Sequence, residues 1–218
     1  MINVSPRESA STWLELIETT PSLVFDPEIC LKQWNDLSAA LPGVTLFYAV
    51  KSNPYPALLQ TIASTGGCFD VATAAEIKML EQVGVSPARM IHTHPIKTES
   101  EIDKAVASGV TTFVVDNVDE LWKLIPHRHS IRVMLRLSFI APDAPIDLSR
   151  KFGASQHDAL NILDVANDSG IRVDGLCFHV GSQAATANTH ADALGVCLVL
   201  CEQIKAEGLP EIERIDIG

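Results

Sequence analysis

The sequence predicts an α/β protein of the (β/α)8 barrel type, and three observations carry that expectation. Short β-branched runs alternate with longer helical patterns, the rhythm of a parallel sheet with crossover helices. A polar or Gly/Pro break follows each run. The first five runs start at nearly even intervals with one helix each, which suits a barrel better than a doubly wound sheet. About seven such runs occur, so the barrel is expected to be incomplete, with open edges unless residues 1–26 contribute a strand.

In chain order the strands are expected over residues 45–51, 68–72, 90–93, 112–116, 131–137, 173–180 and 214–218. The helices between them are expected over 56–63, 74–83, 99–107, 118–124, 156–167 and near 187–207. The stretch 138–153, rich in Pro, Asp and Arg, is too long and too polar for a minimal connection. It reads as a functional loop above the strand ends.

The 218 residues, 47% of them apolar, can bury one large core or two small ones. Sixteen basic residues against 27 acidic ones give a formal charge of −11, which argues against binding nucleic acid or an anionic membrane. A small-molecule substrate is expected instead. Residues 1–20 mix Arg7, Glu8, Glu15 and Glu18 with scattered apolar side chains and so lack the run of a secretory signal. No segment is long and apolar enough to span a bilayer. The five cysteines, Cys30, Cys68, Cys177, Cys197 and Cys201, form no C-x-x-C pair and read as reduced thiols, with a cytoplasmic location expected. Cys197 and Cys201 would share one helix face, where packing outweighs a metal or redox role.

Chemistry in a parallel barrel gathers where strands run out into loops. Lys51 closes the run Leu46, Phe47, Tyr48, Ala49, Val50 and is followed by the break Ser52, Asn53, Pro54. An amine at such a rim is expected to be partly buried, which disfavours the ammonium and favours attack on a carbonyl. The other strand ends carry Asp70, His92 and His94, Asp116, Arg136, His179 and Asp216. Each alone could be a cap or a rim ion pair; together they resemble an active site. Two chemistries could use the set. One is a Schiff base between Lys51 and a carbonyl cofactor, with an aromatic ring stacked on His179 and phosphate held by Ser182 and amides near Gly181 and Gly218. The other is a metal site on His92, His94 and His179, completed by Asp70 or Asp116. His127 and His129 lie in a loop and receive no role.

Five ordered blocks resemble the fold-type III pyridoxal-phosphate decarboxylases of the alanine racemase-like group. They are the segment Phe47 to Asn53 around Lys51, the run Phe69 to Ile77, the run Leu148 to Gly153, the run Gly175 to Gln183, and the tetrapeptide Ile215 to Gly218. The Ser-Arg-Lys-Phe-Gly and Phe-His-Val-Gly-Ser-Gln blocks are most similar to the ornithine and lysine decarboxylases of polyamine biosynthesis. By that resemblance Lys51 would carry pyridoxal 5'-phosphate, His179 would stack on its ring, Ser182 and Gly218 would bind its phosphate, and Asp70, Glu76 and Arg136 would line the lysine and cofactor. The cofactor would act as an electron sink for decarboxylation of a basic amino acid such as ornithine or lysine. No metal would be needed.

The resemblance also implies a domain plan. Residues 1–26 would correspond to part of the family's β-domain, and 27–218 to a pyridoxal-phosphate barrel ending before strand eight. The remaining phosphate loop, a Glu that pairs with the pyridine nitrogen, and the C-terminal β-domain of a homodimer would lie beyond Gly218. The expectation is the barrel portion of a decarboxylase, either a fragment or a degenerate relative, with a catalytically silent binding or regulatory protein as the alternative and a metal-dependent barrel hydrolase, on the histidine set above, as the third reading. One local departure is the third-strand loop, which reads His92-Thr93-His94-Pro95-Ile96-Lys97 where many relatives have Asn before Pro or Thr.

Overall fold

The computed structural model describes residues 2–3, 17, 19–140, 149, 151–181 and 186–218. The chain divides into two compact units, Met1–Met90 and Ile91–Gly218.

In the first unit, β1 (Ile2–Asn3) pairs in parallel with β2 (Val24–Phe25). Helix α1 (Pro27–Ala40) follows, a helix the sequence reading did not place. Its start is locally well specified: Asp26 Oδ1 accepts from the amides of Glu28 (2.8 Å) and Ile29 (3.2 Å), and Pro27 is already set to a helical φ. Strand β3 (Phe47–Ala49) is shorter than the expected 45–51, because the chain tightens into a 3₁₀ turn over Val50–Ser52. Helix α2 (Pro56–Ser64) buries Leu58, Leu59 and Ile62. Strand β4 (Cys68–Val71) then runs parallel to β3 with Ala49 opposite Asp70. Gly67, just before β4, has no room for a side chain, since a Cβ there would lie 2.7 Å from both Ile62 Cγ2 and Trp34 Cζ2. Helix α3 (Ala74–Gln82) completes the described elements of this unit.

Strand β5 (Met90–His92) begins on the last residue of the first unit. In the second unit it is followed by α4 (Glu99–Ala107), β6 (Thr112–Val115), α5 (Val118–Trp122), β7 (Arg132–Leu137), α6 (Gln156–Asp168), β8 (Val173–Phe178), α7 (Ala187–Ala206) and β9 (Arg214–Asp216). Each of β5 to β8 pairs in parallel with the next, ending at β9. Every residue of β6 and β8 is buried, as strands covered on both faces require. Val114, Met134 and Cys177 pack together, and a Cβ on Gly175 would meet Met134 Cγ at 2.8 Å.

Seven parallel strands, β3 to β9, thus succeed one another in chain order with helices between them, the α/β class of an incomplete TIM-type barrel. The differences from expectation lie at the ends. Helix α5 stops at Trp122, and Ile125–His127 forms a 3₁₀ turn; β8 and β9 end two residues early, freeing His179 and Gly218 to sit in loops. Residues 141–148 and 150 of the expected functional loop lie outside the described residues, as does Ser182.

Candidate active site

Lys51 sits in the 3₁₀ turn immediately after β3 and is exposed. The expected partial burial is therefore corrected: β3 ends at Ala49, so the amine stands past the strand instead of closing it. Around it, Tyr48 Oη donates to the carbonyl of Asn53 (3.1 Å), and Ser52 Oγ lies within hydrogen-bond distance of both Tyr48 Oη (3.0 Å) and the Ala49 carbonyl (2.7 Å). These bonds fix the turn that presents the amine. Asp70 alternates with Phe69 and Val71 along β4, so it shares a face with Cys68 and stays half-buried while the two apolar side chains enter the core. Glu76 lies in the first turn of α3. Thr73 caps the helix, its Oγ1 accepting from the Glu76 amide (3.2 Å), while Glu76 Oε2 reaches back to accept from the Ala72 amide (2.6 Å), one residue before the cap.

The second unit holds Arg136, His179 and Gly218. Arg136 is half-buried near the end of β7, and its guanidinium carbon stands 5.0 Å from the centroid of the Phe152 ring, in cation–π range. The His94 ring stands nearly perpendicular to the same ring, centroids 6.1 Å apart. Gly153 anchors this segment: its φ is +94°, and its amide donates to Asp116 Oδ2 (2.9 Å). A Cβ at Gly153 would lie 2.6 Å from the Leu137 carbonyl carbon. His179 follows β8, and its Nδ1 accepts from the Gly181 amide (3.1 Å), which orients the ring. Gly218 has φ +92° and would bring a Cβ to 2.8 Å from the Phe178 carbonyl oxygen; its amide donates to Asp216 Oδ1 (2.9 Å). Lys51, Asp70 and Glu76 thus belong to one unit and Arg136, His179 and Gly218 to the other.

Sequence reasoning missed the polar cluster beneath the β5 and β6 ends. Lys97 is only 4% exposed, and its Nζ donates to the carbonyls of His94 (2.9 Å), Pro95 (2.9 Å) and Val114 (2.6 Å). Its amide donates to Glu120 Oε2 (3.0 Å), while Lys123 Nζ reaches Glu120 Oε1 (2.5 Å) and the Lys97 carbonyl (2.7 Å). Burial pulls the Lys97 ammonium down to about 8, against the opposing pull of Glu120 and Asp116. His92 is 1% exposed, stacks on Phe113 (centroids 5.7 Å, planes 21° apart), and has no hydrogen-bond partner on either ring nitrogen. Burial, then the charge of Lys97, holds its pKa down to about 4. The visible signal for this cluster was the Asn117 to Glu120 spacing of a helix start; nothing in the sequence marked Lys97 as buried.

The alternative metal reading finds no support in this geometry. Among the described residues, no three His, Cys, Asp or Glu side chains stand close enough to hold an ion, and His94 Nδ1 accepts from the Ile96 amide (3.1 Å). The five cysteines form no disulfide with one another, and burial beside Cys201 pushes Cys197 up to about 11.

Residues 29–218 match the family profile described as pyridoxal-dependent decarboxylase, pyridoxal binding domain. The chain belongs to the pyridoxal-dependent decarboxylases. It is 33% identical over 199 residues to the lysine/ornithine decarboxylase of Selenomonas ruminantium, covering 91% of this chain and 50% of that protein. The crystal structure of a lysine/ornithine decarboxylase from Vibrio vulnificus complexed with putrescine superposes with a TM-score of 0.88 at 38% identity, covering 96% of this chain and 57% of that one. A crystal structure of SrLDC in complex with PLP and cadaverine matches with a TM-score of 0.87 at 30% identity, covering 100% and 55%. The chain spans about half the length of the curated relatives it matches.

The donor set fits the family's cofactor. In the first unit an exposed primary amine can condense with an aldehyde; in the second, an imidazole of fixed orientation offers a flat face, and Gly181 (φ +101°) and Gly218 (φ +92°) put no side chain near it, their amides donating to His179 Nδ1 and Asp216 Oδ1.

Proposed function

We propose that this chain binds pyridoxal 5'-phosphate through Lys51 and serves the decarboxylation of a basic amino acid such as ornithine or lysine. The single observation that carries the reading is the position of Lys51: an exposed amine held by a hydrogen-bonded turn at the end of the first barrel strand, in a chain of this family. In the same proposal, His179 stacks on the pyridine ring and Gly218 and Ser182 bind the phosphate. Asp70, Glu76 and Arg136 line the lysine and cofactor. The bound cofactor supplies an electron sink to the substrate's α-carbon; the chain's own part is to present the amine, orient the imidazole and hold the anion. The relatives' names, which include ornithine, lysine and arginine decarboxylases, support a dibasic amino acid as substrate. The proposed setting is a cytoplasmic homodimer of the full-length protein.

The test is covalent trapping. Pyridoxal phosphate is added to the purified chain, the imine is reduced with borohydride, and the modified peptide is identified by mass. The label is expected on Lys51, and Lys51→Ala should abolish both label and visible absorbance band. Lys97 is the informative competitor, since its ammonium titrates at about 8, yet its nitrogen is buried against three carbonyls. A label on Lys97, or none, defeats the proposal.

A further inference from the structure

At the opposite ends of the β6 and β7 strands from Asp116 and Arg136, the second unit carries a cavity of about 460 Å³. Arg128, His129, Arg132 and Arg172 line it together with Thr111, Ser130 and Ile131, and among the described residues no carboxylate lines it. Such a concentration of cations runs against the protein's formal charge of −11. The obvious structural explanation is Asp174, buried at the start of β8. That carboxylate is already met by Arg214, whose Nε and Nη2 donate to its two oxygens at 3.1 and 2.6 Å. Arg132 Nη1 and Arg172 Nε stand 3.6 and 3.9 Å away, beyond hydrogen-bond length. Arg172 also pairs with Glu213. Arg128 Nη1 donates to the Ile125 carbonyl (3.1 Å), and its stem packs near Gly170. Four arginines, Arg128, Arg132, Arg172 and Arg214, therefore face two carboxylates, Asp174 and Glu213. Arg128 is held in place by backbone contacts, and the guanidinium groups of Arg132 and Arg172 are open to solvent.

We infer that this cavity is a second anion site, for a diphosphate or longer phosphate chain. Guanidinium forks match phosphate oxygens in pairs, and several of them converging select an anion of more than one charge. Among the described residues Ile131 is the single apolar side chain of the lining, so a phosphate chain fits and these residues offer no apolar wall of the kind a nucleobase would want. The site is separate from the cofactor chemistry: Arg132 opens β7 and Arg136 lies four residues on, roughly 13 Å along the strand. An anion here would bridge the loop before β7 to the start of β8, at the end of the strands that in barrels ordinarily serves stability.

The test is calorimetric titration of the purified chain with pyrophosphate at fixed ionic strength. Saturable one-to-one binding is expected, weakened tenfold or more in Arg128→Gln and in Arg172→Gln, and weaker for orthophosphate than for pyrophosphate. Arg128→Gln is the decisive variant if Arg172→Gln unfolds through loss of its pairing with Glu213, since among the described residues Arg128 makes no ion pair that its removal would break. ADP compared with pyrophosphate separates the sources: equal or weaker ADP binding supports a site for the phosphate chain alone, and tighter ADP binding would overturn that reading in favour of a nucleotide. Absence of saturable binding, unchanged affinity in Arg128→Gln with its fold intact by circular dichroism, or loss of binding in Lys51→Ala would each overturn the inference. The last would place the anion at the cofactor face. Trapping at Lys51 is read independently, so the two proposals can fail separately.

Discussion

A buried imidazole with both nitrogens unpartnered costs stability, and His92 is such a group. Its folded pKa of about 4 lies below the ordinary 6.5, so between those values the unfolded chain binds a proton that the folded chain refuses. Stability is therefore lost as pH falls from 6.5 towards 4, by about 3 kcal/mol over the full window. His92→Phe keeps a ring against Phe113 and removes both unpaired nitrogens. It is expected to leave stability at pH 7.5 unchanged or slightly raised and to cut the loss between pH 7.5 and 5 by about 2 kcal/mol. Urea unfolding at the two pH values reads this directly; equal losses in both proteins would show that His92 does not carry the acid sensitivity. None of this was legible in the sequence. His92-x-His94 invited a metal reading because spacing alone cannot distinguish an imidazole stacked in a core from one aimed at an ion.

At the scale of elements, the segment Phe152-Gly153 transmits position from one strand end to another. Gly153 ties to Asp116 beyond β6 through its amide, while Phe152 offers its face to Arg136 on β7 and packs nearly perpendicular to His94 beyond β5. Gly153→Ala would have to adopt φ +94° and push its Cβ into the Leu137 backbone. A cost of about 1–3 kcal/mol in stability is expected. If Arg136 lines the cofactor, the pyridoxal-phosphate affinity should fall as well, while Gly84→Ala, also at positive φ (+77°) but in open space, should cost less stability and leave affinity alone. Parallel denaturation curves and cofactor titrations of the two variants check both parts. The strands were readable because each is a short β-branched run. Their ends were not, since termination depends on hydrogen bonds such as Ser52 Oγ to the Ala49 carbonyl that no run of apolar residues announces. Helix α1 was missed for a related reason: it buries none of its residues fully, so its apolar pattern carried little signal, and the cap at Asp26 went unread.

At the scale of the whole molecule, the formal charge of −11 acts on everything that approaches. Membership of the family was legible because ordered blocks such as Phe-His-Val-Gly-Ser-Gln preserve spacing as well as composition. The basic cavity was not, because its arginines come from separate loops and strands. That contrast between global and local charge has a measurable consequence. Pyridoxal phosphate is anionic, so the field of the whole protein opposes its encounter, and screening should help. Raising salt from roughly 0.01 M to 0.15 M shortens the Debye length from about 30 to about 8 Å. Over that range the association rate of pyridoxal phosphate is expected to rise several-fold. Pyrophosphate at the arginine cavity is expected to do the reverse, its affinity falling with salt, because there the nearest charges are cations within one screening length. Stopped-flow absorbance for the first and calorimetry for the second make the comparison. A cofactor rate that falls with salt would mean that local cations such as Lys51 and Arg136 outweigh the net charge; a pyrophosphate affinity indifferent to salt would mean that the arginines do not hold it.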